Sequence, residues 1–150
     1  MQYNFIANQP AASSSGRHIA VIDPSAVQVF DELQRDDGKD IDAAVVAARH
    51  SMDHGWGLLT AAERGRMLMR LSGKVAEHAG ELALLEQRDC GKPVKQARAD
   101  AAALARYFEF YAGACDKLHG ETLPYLDGYS VFTWREPHGV TGHIVPWNYP

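Results

Sequence analysis

The sequence predicts an α/β chain, on three observations. Short apolar segments of strand type run through Leu33, helical spacing takes over from Asp40 to Cys115, and a period of two returns at Tyr129. Strands, then helices, then an apolar strand running into a loop describe an α/β architecture with a crossover still to come.

The elements follow in order. Residues 1–8 alternate around Tyr3, Phe5 and Ala7, and Asn8-Gln9-Pro10 reads as a turn. Arg17–Asp23 and Val27–Leu33, separated by Pro24-Ser25, are expected to complete a small N-terminal β layer. Asp40 is a candidate N-cap for a first helix carrying Ile41, Ala44, Val45 and Ala48 and ending at His54-Gly55. Thr60-Ala61-Ala62-Glu63 forms a capping box, in which hydroxyl and carboxylate satisfy orphan N–H groups reciprocally. Met67, Leu68, Leu71 and Val75 make the stripe of that second helix. A third runs from Ala79 to Cys90, with Gly91 at the left-handed cap position. Pro93 suits the first turn of a fourth, with Ala97, Ala101, Leu104, Phe108, Tyr111 and Cys115 on one face. Tyr129, Val131 and Thr133 then alternate with Ser130, Phe132 and Trp134, and Val140–Val145 reads as a second, interior strand.

The 150 residues are 46% hydrophobic and 23% charged, which is globular and long enough for a core without metal or disulfide staples. Fifteen basic residues are interleaved with 19 acidic ones for a net charge of −4, which argues against nucleic acid. No apolar run reaches membrane-spanning length and no signal peptide is visible, so neither membrane nor export is expected. Two distant cysteines, Cys90 and Cys115, fit a reducing, cytoplasmic setting. The chain stops on PWNYP straight after an apolar strand, so it is expected to be cut.

Most candidate motifs have plainer explanations. Gly91-Lys92 lacks the earlier glycine and following Ser/Thr of a phosphate loop, and no GxGxxG is present. His50 and His54 share a helix face as zinc ligands can, but without a nearby carboxylate they read as a solvated helix end. Cys90 sits at a helix C-terminus, where the helix dipole disfavours a thiolate, and Cys115 reads as a small core residue.

Pro146-Trp147-Asn148-Tyr149-Pro150 is different. Ligands of open α/β sheets bind where strands end. Two prolines stiffen the backbone around Asn148, and a held primary amide donates N–H without changing charge, as an oxyanion hole requires. A Trp-anchored structural turn has the same appearance, and on the residues alone it is the stronger of the two readings.

An ordered set of landmarks resembles the N-terminal part of the NAD(P)-dependent aldehyde dehydrogenase superfamily. They are Val21-Ile22-Asp23-Pro24, the Asp40–Ala48 helix, Trp56 with Ala62-Glu63-Arg64, and Asp89-Cys90-Gly91-Lys92-Pro93. Phe108–Ala112, Gly120-Glu121-Thr122, Arg135–Val140 and Gly142–Pro150 follow in the same order. Each is weak alone; the ordered set is specific and covers nearly the whole chain.

The resemblance implies that residues 1–150 are the N-terminal part of a Rossmann-like NAD(P)-binding domain. It would hold the small β layer, four helices and, in 122–136, most of a bridging β hairpin used in homodimers or homotetramers. The catalytic domain would lie outside the chain. The implied reaction oxidises an aldehyde to a carboxylic acid with NAD(P)+, using a cysteine nucleophile and a glutamate base that this chain lacks. Asn148 would be the oxyanion donor, Val145, Pro146, Trp147 and Asn148 would meet NAD or NADP, and Tyr149 would meet substrate, as in relatives acting on cationic aldehydes. Val21 and Ile22 carbonyls with Asp89 would form a structural potassium or sodium site, although a capped loop beside a buried aspartate would look the same.

Two further readings stand beside the enzyme fragment: a truncated, non-catalytic chain that only self-associates, and a relative acting on an acyl-phosphate or acyl-CoA. The coding sequence beyond Pro150 separates them. A glutamate followed by a cysteine marks the oxidising enzyme, a stop codon the inert chain, and a cysteine without glutamate the relative.

Overall fold

The computed structural model describes residues 2–150. Strands β1 (Asn4–Ile6) and β2 (Gln9–Ala11) form an antiparallel hairpin in which Phe5 faces Pro10. Ala7 and Asn8 both take positive φ, 53° and 61°, which is the twist a two-residue hairpin turn needs. The turn therefore lies at 7–8, before the Asn8-Gln9-Pro10 position that composition suggested, and Pro10 sits in a strand with no second neighbour. Strands β3 (Arg17–Asp23) and β4 (Gln28–Arg35) form a second antiparallel pair, with a register shift between Val21 and Ile22. The N-terminal β layer is thus two separate hairpins, joined where the Gln2 N–H donates to the Glu32 carbonyl at 2.8 Å.

The N-cap of helix α1 (Gly38–His54) lies three residues before the expected one. Asp37 is the N-cap and accepts from the Lys39 N–H, while the Asp40 carboxylate reaches back to the Asp37 N–H. Asp40 also accepts from the Ser14 N–H and from the hydroxyls of Ser13 and Ser14, fastening the loop before β3 to the helix. A 3-10 turn (Trp56–Leu58) leads to α2 (Ala61–Glu77), which opens on the Thr60–Glu63 capping box read from sequence. Helix α3 (Ala79–Cys90) ends at Gly91 with φ +70°, and α4 (Val94–Ala114) follows Pro93, which caps the helix from just outside its first turn.

Small residues set the helix packing. Ala83, Ala97 and Ala101 are buried together, with Ala79 and Leu82 against them. Gly65 lies so near α4 that a Cβ there would stand 2.7 Å from the Ala112 carbonyl oxygen. Ser72 donates to the Ala105 carbonyl at 2.8 Å. The contact face of α2 is therefore Gly65, Ser72 and Val75, while Met67 and Leu71 of the expected stripe are exposed and Leu68 is half-buried. Period alone locates a stripe only to within a fraction of a turn; close approach to α4 selects the small side.

Beyond α4, β5 (Thr122–Leu123) pairs with β6 (Val131–Phe132), so the expected hairpin forms with two residues per strand. Val131 and Thr133 are half-buried while Phe132 and Trp134 are exposed, which matches the alternation. Val140–Val145 departs from expectation: it pairs with nothing among the described residues and is exposed, Ile144 fully so. The run carries the apolar side chains of an interior strand, but no strand among the described residues flanks it.

Candidate functional site

The PWNYP stretch closes as a turn, with the Tyr149 N–H donating to the Pro146 carbonyl at 3.3 Å. Val145, Trp147 and Asn148 stand open to solvent, and the Asn148 carboxamide has no hydrogen-bond partner among the described residues. No hydrogen bond or ion pair among those residues ties 139–148 to the helices; Thr141 and His143 bond only each other, at 3.1 Å.

Tyr149 is the exception to this isolation. Its ring lies over the Lys92 ammonium, 4.1 Å from Nζ to the ring centroid. Lys92 leaves the α3–α4 corner and is gripped by two carboxylates, Glu86 and Asp100, the latter at 2.7 Å. All three side chains are nearly covered, between 12% and 18% exposed. The hydrogen bond to Asp100, then that to Glu86, pushes the Lys92 ammonium above the usual lysine range, against the effect of burial. Lys92 and Gln96 together hold the Asp100 carboxyl below its usual range. Lys92 therefore carries a fixed charge at every physiological pH.

Tyr149 and Pro150 also close one side of a cavity of about 710 Å³ between the β3–β4 pair and helices α3 and α4. Val21 and Asp89 line the same cavity, and Ile22 does not. The suggested cation group is thus brought together in part. Close packing explains this proximity: a Cβ on Gly91 would meet Pro24 Cγ at 2.9 Å, and Arg88 stacks over the Phe30 ring at 4.4 Å.

Neither cysteine is set up as a nucleophile. Cys90 Sγ donates to the Glu86 carbonyl at 3.0 Å and Cys115 Sγ to that of Tyr111 at 3.2 Å, each one turn back in its helix. No imidazole or carboxylate bonds either sulfur among the described residues. The His50 and His54 rings stack at 4.3 Å, and no group of three metal-ligating side chains gathers anywhere among the described residues. No helix among those residues is long and apolar enough to cross a membrane.

The donor set of 145–149 fits one end of a dinucleotide. Exposed apolar surface on Val145 and Trp147, beside an unbonded carboxamide on Asn148, suits a flat ring bearing an amide or a developing alkoxide. Residues 139–150 contain no Lys or Arg, so no fixed positive charge there faces a pyrophosphate.

Sequence reasoning gave Lys92 no role of its own, treating it as part of a failed phosphate loop and of a family landmark. The available signal was a basic residue at a helix–helix corner with Glu86 and Asp100 each within about two turns. Asp37 was missed because an Asp-x-x-Asp box lacks the Ser/Thr-x-x-Glu form usually sought.

The described residues thus form an α/β chain in which a helical layer leads into an apolar run and a proline-bounded Asn turn. Residues 11–150 match the model of the aldehyde dehydrogenase family. The Arabidopsis thaliana protein aldehyde dehydrogenase family 2 member B4, mitochondrial, is 44% identical over 140 residues, 92% of this chain and 26% of that protein. A Burkholderia cenocepacia crystal structure assigned as an aldehyde dehydrogenase superposes with a TM-score of 0.95 at 61% identity, covering 99% of this chain and 31% of that one. A point mutant of betaine aldehyde dehydrogenase from Staphylococcus aureus, solved with NAD+, superposes at 0.77 with 29% identity, covering 83% and 26%. The chain belongs to the aldehyde dehydrogenase family, and its fold is the N-terminal α/β portion of the Rossmann-like domain. It spans between a quarter and a third of the length of these relatives.

Proposed function

We propose that this chain serves an oxidoreductase that converts an aldehyde to a carboxylic acid with NAD(P)+, and that its own contribution is the oxyanion donor Asn148. The carrying observation is the unbonded Asn148 carboxamide, held in a proline-bounded turn at the end of an apolar run. Family membership supports the reaction class.

Bound NAD(P)+ supplies a hydride acceptor. When a thiolate adds to the aldehyde, the carbonyl oxygen becomes an alkoxide, and the Asn148 amide donates to it. A neutral donor stabilises that charge more than it stabilises the uncharged aldehyde, so it acts on kcat. Val145, Pro146 and Trp147 present an apolar, uncharged surface for the ring of the cofactor. The nucleophile and the glutamate base come from outside residues 1–150, since Cys90 and Cys115 bond only helix carbonyls.

We assign residues 1–150 to the N-terminal part of the NAD(P)-binding domain and 122–136 to the bridging strands of a homodimer or homotetramer. The exposed Phe132 and Trp134 beside the short β5–β6 pair support that role. Tyr149 is the substrate-side aromatic: one ring face meets Lys92, the residue is 59% exposed, and an ammonium-bearing aldehyde fits the open face. Val21 and Asp89, with Ile22 adjacent, remain our candidates for a structural potassium or sodium site, supported by the shared cavity wall. Two unpaired thiols favour a reducing compartment, the cytoplasm.

The test is Asn148→Ala in the full-length enzyme. Single-turnover hydride transfer should fall by about 10²–10³, with cofactor affinity unmoved. A fall of less than about threefold, or one explained by weaker cofactor binding, returns Asn148 to a structural turn.

A further inference from the structure

We infer that Lys92 is a positioning residue for Asn148, acting through the ring of Tyr149. The inference rests on the oxyanion reading of Asn148 given above.

Residues 139–148 have no polar tie to the helical layer, and Trp147 and Ile144 are open to solvent. An amide that must meet a developing alkoxide needs its backbone held, since misplacement by about 1 Å can lower a rate 10²-fold. The turn closes on Tyr149 itself through its N–H to the Pro146 carbonyl, which places Asn148 inside the turn. The Tyr149 ring then rests on the Lys92 ammonium at 4.1 Å.

That ammonium is itself immobile. Glu86 on α3 and Asp100 on α4 hold it from two helices, and the charge cluster is largely covered. An ammonium already neutralised by two carboxylates gains little from a bound substrate. It still presents positive charge to the quadrupole of a ring laid over it. The chain of support thus runs from the α3–α4 corner to Lys92, to Tyr149, to the turn carrying Asn148. Pro150 lines the same cavity as Tyr149.

The experiment is a double-mutant cycle in the full-length holoenzyme, read by single-turnover hydride transfer, aldehyde KM and NAD+ Kd. With a neutral aldehyde, Lys92→Met should slow hydride transfer about tenfold with KM and Kd unchanged, and Lys92→Arg should recover most of the rate. In the Asn148→Ala background, Lys92→Met should cost less than about twofold, because the group it positions is gone. An equal loss in both backgrounds overturns the inference while leaving the oxyanion role intact. A silent Asn148→Ala overturns the oxyanion role, and the positioning role falls with it. Should Lys92→Met fail to fold, Tyr149→Leu leaves both ion pairs in place and completes the same cycle. Additivity of Tyr149→Leu with Asn148→Ala would then be the overturning result.

Discussion

Helices α2 and α4 meet almost backbone to backbone, with Gly65 against the Ala112 carbonyl and Ser72 bonded to Ala105, whereas residues 139–148 touch the helices through no polar contact. Residues 139–148 carry no Asp, Glu, Lys or Arg, yet they display Ile144 and Trp147, while the charge-bearing helices bury alanines and glycine. The difference lies in the range of the interactions each needs. A helix satisfies its own backbone and requires only a face to pack, and α2, α3 and α4 all supply such faces to one another within this chain. An extended run satisfies nothing by itself and stays open until strands flank it on both sides.

The largest expected effect sets the exposed region against the packed one directly. The 150-residue chain should self-associate at concentrations on the order of tens of micromolar, through the edges of β5–β6 and the open 140–147 run. Sedimentation velocity checks this, and Trp134→Ser with Ile144→Ser should shift the distribution back to monomer. A compact monomer in the unaltered chain would break the comparison.

Within the packed region, two glycines of α2 separate contact from propensity. Gly65→Val should destabilise by about 1–3 kcal/mol, because its side chain meets the α4 backbone. Gly73 has nothing within 4 Å of a built Cβ, so Gly73→Ala should stabilise by roughly 0.5–1 kcal/mol. Urea denaturation of the two variants gives opposite signs if packing and not helix propensity governs α2.

Asp40 sharpens the comparison through pH. Hydrogen bonds from the Asp37 N–H, then the Ser14 N–H, hold its carboxyl below the usual aspartate range, against burial. A carboxyl lowered in the folded state contributes its full stability above its unfolded value, about pH 4, and loses it as pH falls through the folded value. Melting temperature against pH should therefore fall on the acid side, and Asp40→Asn should flatten that limb.

The smallest effect closes the series. Ile144→Ser should change the stability of the chain by less than about 0.5 kcal/mol, since the side chain is fully exposed. A larger loss by thermal melting would mean that Val140–Val145 is buried in solution.

The same contrast explains what was legible beforehand. Thr60–Glu63, Gly91 and the limits of β3 and α3 were readable because caps and breakers act over three or four residues. The cap of α1 slipped from Asp37 to Asp40 because both carboxylates belong to one box. The contact face of α2 was not readable, because it depends on how near α4 comes. At the site, Asn148 and Tyr149 were visible as a proline-bounded motif. Lys92 was not, because its meaning comes from Glu86, Asp100 and a ring 57 positions later in the chain.

The α3–α4 corner carries one more implication, in the language of hydrogen exchange. Gly91 lies against Pro24, Arg88 over Phe30 and Lys92 under Tyr149, so a single corner touches the β3–β4 turn, β4 and the PWNYP turn. Segments that share an anchor open together. The amides of β3, the last turn of α3 and Tyr149 should therefore exchange as one cooperative unit. Their common opening free energy should drop in step when Gly91 is replaced, although the segments are far apart in sequence and belong to three different kinds of structure.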